Sequence, residues 1–252
     1  MILLALILIV AIVAIVYTHN GLTDSASAVG SVAGAPYGNN GSSALMPVAL
    51  AASSTSHPFL IFNDISETPG YQYRTQAPWS TWQSSVISIA KQAKGKDFSS
   101  QWSGDVNWVS QRGYYAMNLA LAYQITKDSS YSDKARQALL NLDVGVVPTS
   151  PPMMMPQAFQ SMSLMYYCLA YDWVQPTLDP SSDAVIRDKL ATLADTVYTK
   201  IKAQPDYIDF VDWQGQSYPT LGIAGVTLYD YTNPNNLSLS SGPDEWRRVG
   251  TD

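Results

Sequence analysis

Between Gln157 and Trp173 the chain reads Gln-Ala-Phe-Gln-Ser-Met-Ser-Leu-Met-Tyr-Tyr-Cys-Leu-Ala-Tyr-Asp-Trp, apolar on most of both faces and free of charge before Asp172. A helix that is apolar all round belongs inside a protein, wrapped by other helices. Residues 112–127, with Leu121-Ala122-Tyr123, and residues 217–231, with Leu228-Tyr229-Asp230-Tyr231, repeat the pattern more weakly. In each, an apolar helix closes on an aliphatic-aromatic end and runs into a polar turn. The stretches between them carry a narrower stripe. Residues 131–142 put Ala135, Ala138, Leu139 and Leu142 on one face, with Lys134 and Arg136 outside. Residues 181–203 bury Val185, Leu190, Leu193, Ala194 and Val197, and turn Arg187, Asp188, Lys189 and Lys200 to water. This alternation predicts an all-α fold of stacked helical hairpins, with wholly apolar helices inside and amphipathic ones outside.

The punctuation fits three hairpins. Lys127-Asp128-Ser129-Ser130 separates a helix over 107–127 from one over 131–142. Pro176 and Pro180 stop the helix over 157–174, and Ser181 or Ser182 caps the helix over 181–203. The third hairpin starts with 217–231 and takes up its partner at Asp244-Glu245-Trp246-Arg247-Arg248. Ahead of them, 81–94 predicts a modest amphipathic helix through Trp82, Val86, Ile89, Ala90 and Ala93, and 57–62 a short extended run. Asp97–Gly104 reads as a break. Val146–Met155, with three prolines, reads as a loop that lines a cleft.

The first 56 residues differ in kind. Met1 to Val16 is an uninterrupted apolar run, close to the ~17 residues at the lower end of what spans a bilayer. Residues 1–17 therefore predict one helix, either a membrane anchor or the apolar part of a secretion signal, and both place the remainder outside the cell. No Lys or Arg occurs before Arg74, which is unusual for either. Residues 18–56 read as a flexible linker: from Gly21 to Ser56, Gly, Ser and Ala supply 21 of 36 residues and Asp24 is the single charge. Residues 57–252 make the helical domain. Asn40-Gly41-Ser42 and Asn236-Leu237-Ser238 are glycosylation sequons, in keeping with export.

Composition narrows the function classes. Charged residues are 13% of the chain, against ~25% in an average soluble domain. The 16 Tyr and 7 Trp suit either stacking on sugars or a large aromatic core. Net charge is −6 with no basic tract, which argues against nucleic acid as a partner. The single Cys168 excludes an intrachain disulfide and sits where a buried, inert thiol is expected. His19 and His57 are far apart, so neither a metal cluster nor a Ser/His/Asp triad assembles, and no metal or cofactor is expected. Asp206, Asp209 and Asp212, three apart, are carboxylates for a glycosidase or part of a solvated loop.

Three groups of residues carry a family resemblance. They are His57-Pro58-Phe59-Leu60-Ile61-Phe62 with Trp82; Ala120-Leu121-Ala122-Tyr123 followed by Tyr131, Ala135, Arg136 and Leu139; and Leu169-Ala170-Tyr171-Asp172-Trp173. Over roughly 57–248 the chain resembles the opening of the heparinase II/III-like and alginate-lyase-like polysaccharide lyases. The resemblance implies an incomplete (α/α) toroid of inner and outer helices, followed by β-sandwich layers. It also implies cleavage of acidic, uronate-containing polysaccharide by β-elimination, in an exported protein. The family carries an Asn-His pair near the start of an inner helix. The corresponding place here is Asp212-Trp213-Gln214-Gly215-Gln216-Ser217-Tyr218-Pro219, with Gln216 in place of the amide and Tyr218 as a phenol. The family's main catalytic Tyr and a later His would lie beyond Asp252, so the chain reads as the front part of a longer protein.

The elimination requires a group that neutralises the uronate carboxylate, a base for the C5 proton and an acid for the leaving oxygen. Gln216 and Tyr218 are the catalytic candidates. Arg112, Gln157, Gln160, Trp213 and Gln214 are the substrate-binding ones, because inner helices of a toroid begin at one rim and these residues stand at three such beginnings. Helix starts also favour a carboxylate, which offsets the negative net charge locally. Bland readings stand beside these. Arg112 pairs with Asp105, the 213–216 stretch caps a helix, and Tyr166-Tyr167 belongs to the core. Two other functions remain open: an α/α-barrel glycoside hydrolase using Asp209 or Asp212, and a non-catalytic surface protein that binds carbohydrate or forms filaments through its N-terminal helix.

Overall fold

The computed structural model describes residues 56–68, 70–100, 108–144, 155–203 and 211–251. The predicted N-terminal helix, nearly all of the linker, the 146–155 loop up to residue 154, and Asp105, Asp206 and Asp209 lie outside them. Among the described residues there are seven α-helices and no strand. They are α1 (Trp79–Lys94), α2 (Trp108–Thr126), α3 (Ser129–Leu140), α4 (Met155–Val174), α5 (Pro180–Ala203), α6 (Val211–Thr227) and α7 (Pro243–Thr251). Among the described residues no helix is long and apolar enough to cross a membrane.

The helices α2, α4 and α6 form a central layer and run the same way. Near their starts, a Cβ on Gly113 of α2 would touch Ser163 of α4 at 3.1 Å, and Ser161 Oγ lies 2.9 Å from Ser217 Oγ of α6. Near their ends, the Gln124 side-chain amide of α2 donates to the Trp173 carbonyl of α4. The helices α3 and α5 return outside this layer. The core therefore centres on α4, where Leu164, Tyr167, Cys168, Leu169, Ala170, Tyr171 and Trp173 are all buried. This is the burial that a helix apolar on every side demands.

Hairpin turns follow from side-chain chemistry. Between α2 and α3, Lys127 adopts left-handed backbone (φ 57°), and the extended Asp128 accepts the Ser130 N–H at 2.9 Å. Between α4 and α5 the cap differs from expectation. Pro180 is the first helical residue, and Asp179, rather than Ser181 or Ser182, accepts the Ser182 N–H (2.9 Å) and both serine hydroxyls. Proline at the first position loses no helical bond, so the preceding carboxylate becomes the cap.

The outer face of α5 is also corrected. Val185 is 46% exposed while Ile186 is fully buried, because the stripe runs 186, 190, 193, 197 at spacings of four and three. The charged residues do not simply face water. Arg187 reaches Asp230 at 2.5 Å, Lys189 donates to the Leu140 carbonyl at 2.5 Å, and Lys200 turns inward to Gln160. Asp188 accepts from Tyr231 Oη (2.6 Å) and Asn235 Nδ2 (2.5 Å). These contacts hold α5 to the end of α3, the start of α4 and the turn after α6.

The start of α6 lies at Val211, six residues before the predicted 217, so the Asp212–Pro219 stretch is helical rather than a loop before the helix. Its last turn ends at Thr227, and the buried Tyr231 belongs to the connection beyond. The helix α7 crosses α6 at backbone contact. A Cβ on Gly225 would sit 2.6 Å from both Arg247 N and Pro243 O, and one on Gly250 would overlap the Gly222 backbone. Glycine at these positions lets Trp246, fully buried, seat against the core.

Candidate functional site

The two ends of the central layer are unlike. Where α4 finishes, the end is closed by the segment that precedes α1. Asp172, fully buried, accepts His57 Nδ1 at 2.6 Å, the Phe59 N–H at 3.1 Å and the Leu60 N–H at 3.1 Å. The His57 ring stacks on Phe59 (centroids 4.5 Å apart) and meets the edge of Tyr171 (5.2 Å). Phe62 stacks on Trp173 at 5.6 Å, and Phe59 meets Tyr229 beyond α6 at 5.9 Å. The Tyr171 hydroxyl donates to Asp183 at 2.8 Å, and burial holds its pKa above the usual phenol value. This end is a lock of aromatic rings around one carboxylate.

The opposite end collects polar groups. Arg112, near the start of α2, is 2% exposed. Its guanidinium donates to the carbonyls of Phe98 (2.5 Å), Asn141 (2.9 Å) and Ser100 (3.4 Å), and to the Asp143 carboxylate at 2.9 Å. Its acid partner among the described residues is thus Asp143, after α3. Arg112 ties the 98–100 turn, the start of α2 and the end of α3 together. Gln160 of α4 is 2% exposed, and its Oε1 accepts from Lys200 Nζ. Ser161 and Ser217, both buried, meet as described above and join the starts of α4 and α6.

The remaining candidates stand in the same first turns. Gln157 is the third residue of α4, one turn before Gln160 and Ser161; Trp213, Gln214 and Gln216 belong to the first two turns of α6, just before Ser217. Their side chains lie outside the described residues. Tyr218 is half-buried and packs on the core, while its carbonyl faces the Gly250 position of α7. Arg112, Gln160 and the 213–218 stretch therefore stand at one end of the layer.

Sequence reasoning missed Lys200, Ser161 and Ser217. A signal for Lys200 existed: it follows Val197 by three, which continues the buried stripe of α5. Burial pulls the Lys200 pKa below its ordinary value. Cys168 behaves as expected: it is fully buried, and desolvation pushes its thiol up to about 12. Tyr167 is likewise raised by burial and belongs to the core. Among the described residues no group of three or more His, Cys, Asp or Glu is placed to hold a metal.

Compared with models of known families and with curated proteins, the chain gives no match.

Proposed function

We propose that this chain is the helical part of an exported polysaccharide lyase, an incomplete (α/α) toroid that cleaves uronate-containing polysaccharide by β-elimination. The observation that carries this reading is the contrast between the two ends of the α2–α4–α6 layer. One end is sealed by His57, Asp172 and their aromatic neighbours. The other gathers Gln160, Ser161, Ser217 and Lys200 where the inner helices begin. A saccharide cleft needs such a concentration of hydrogen-bonding groups on a rigid helical base. Free N–H groups at the helix starts add a preference for carboxylate.

In this cleft the uronate carboxylate is hydrogen-bonded, which stabilises the charge that develops when C5 loses its proton. Gln216 is assigned to that carboxylate and the Tyr218 phenol to proton transfer at C5. The C5–H electron pair forms the new C4=C5 double bond as the C4–O bond breaks, and the departing oxygen takes up a proton. The family resemblance of 57–62 and 169–173 supports the fold half of this reading; the chemistry rests on the site residues themselves.

Incubation of the protein with polymannuronate and with heparin tests the reading. Release of unsaturated oligosaccharide, seen as new ultraviolet absorbance, is the expected result. New reducing ends without that absorbance would mean hydrolysis instead. Binding without cleavage would mean a carbohydrate-binding module.

A further inference from the structure

One cation at the polar end is drawn inward without a counter-charge among the described residues. Lys200 stands in the last turn of α5 and is half-buried, on the register of Ile186, Leu190, Leu193 and Val197. Its Nζ donates to Oε1 of Gln160, an uncharged acceptor that is itself 2% exposed. The last turn of a helix favours a cation, because its carbonyls lack partners. Lys202, in the same turn, meets that need: it is exposed and lies 4.0 Å from Glu245. That function does not account for Lys200, whose burial penalises its charged form. An ammonium desolvated in this way costs stability unless an anion meets it. An ammonium has three donors, so one bond to Gln160 leaves others for a bound oxyanion. The Ser161 and Ser217 hydroxyls, 2.9 Å apart and both buried, join the starts of α4 and α6 beside Gln160.

We propose that Lys200 is a second anion-binding residue of this site beside Gln216, its ammonium receiving the carboxylate of a uronate while Gln160 Oε1 orients the ammonium. This rests on the placement of the saccharide cleft at the starts of α4 and α6. It also adds a local positive charge that the net charge of −6 does not suggest. The last turn of α5 is thereby part of the cleft, so an outer helix supplies a ligand-binding group as well as a wall.

The test uses a mannuronate tetrasaccharide and its methyl ester, titrated calorimetrically into the full chain. The parent protein is expected to bind the acid at least about 10-fold more tightly than the ester, since a hydrogen bond to a charged group is worth that much or more. Lys200→Met should bring the acid down to the affinity of the ester, with a melting temperature equal to or above the parent's. Lys200→Arg should keep part of the preference. If Lys200→Met retains the full acid preference, the proposal is overturned while the cleft itself survives. If neither sugar binds the parent protein, both the cleft and the role of Lys200 fail. A lowered melting temperature with unchanged sugar binding would show that the ammonium serves a structural carboxylate, and would also overturn the proposal. Should Lys200→Met not fold, reductive 13C-methylation of the parent protein reads the same question. The Lys200 methyl signal must shift with the acid and not with the ester, and an unmoved signal overturns the assignment.

Discussion

His57 Nδ1 lies 2.6 Å from Asp172 Oδ1, across 115 residues of sequence, with the carboxylate fully buried and the imidazole nearly so. Asp172 also accepts the N–H groups of Phe59 and Leu60, so these hydrogen bonds of the entry segment converge on one side chain of α4. Buried carboxylates are costly unless hydrogen-bonded from several sides, and this one is. The arrangement joins the 57–60 entry segment to the end of α4, and it explains why an acid is kept inside a largely apolar helix.

Removing that carboxylate should be severe. Asp172→Ala leaves the imidazole and two partly buried N–H groups without their acceptor, and a loss of about 3–5 kcal/mol is expected for breaking a buried pair. Urea unfolding of the variant measures it. A loss below ~1 kcal/mol would mean that the entry segment contributes little to holding the domain together.

Leu169 is 2% exposed in the middle of α4. Leu169→Ala should destabilise by ~2–5 kcal/mol, the sum of lost transfer energy and the cavity left behind. The same unfolding experiment checks it, and a near-neutral result would deny α4 its central position.

The α6–α7 crossing is a test of backbone approach rather than of side-chain packing. Gly225→Ala places a methyl 2.6 Å from two backbone atoms of α7, neither of which belongs to a flexible side chain. A loss of about 1–3 kcal/mol is expected as the helices are forced apart. Quenching of Trp246 fluorescence by iodide should rise together with it. An unchanged spectrum and stability would remove the close contact.

Acid should weaken the α4–α5 turn. The Ser181 and Ser182 hydroxyls and the Ser182 N–H hold the Asp179 carboxyl well below its ordinary 3.8. A carboxylate with a depressed folded pKa contributes stability that is fully present above the unfolded value and is lost as pH falls through the folded one. Stability should therefore decline below about pH 4 partly through this group. In Asp179→Ala that part of the acid dependence should disappear, as thermal unfolding from pH 7 to 2 would reveal. Parallel profiles for the two proteins would contradict the cap.

The catalytic assignment has its own check. Gln216→Ala and Tyr218→Phe should each lower turnover of uronate polymer by about 100-fold, the first by loss of a hydrogen bond that stabilises the developing charge and the second by loss of proton transfer, with little change in melting temperature. Normal turnover in both would take the first turns of α6 out of the active site.

The helices themselves were legible from periodicity. A wholly apolar run at 157–173 has no stable place except inside, and the stripes of 131–142 and 181–203 have no stable place except against it. Helix starts and stops were less legible, because caps compete. Proline at position 180 handed the cap to Asp179, and α6 began six residues before the apolar period became visible. Chain entry at 57–62 was expected as an extended run; it is irregular, held by Asp172 rather than by a strand partner.

What the sequence alone determined about this protein is its class of architecture: hydrophobic periods specify helices and rank them by burial, since each side chain reports only on its own surroundings. What the tertiary structure decided is which polar groups meet. Asp172 was visible as one charge at the end of an apolar helix, and Lys200 as one basic residue of an outer face. Only the packing of α4 against the entry segment gave the first its imidazole and two N–H groups, and only the approach of α5 to the start of α4 drew the second onto Gln160. Such pairings join residues 40 to 115 positions apart. The hydrophobic pattern fixes which faces turn inward, but the distances that hydrogen bonds require depend on how the helices cross, and no local period encodes that.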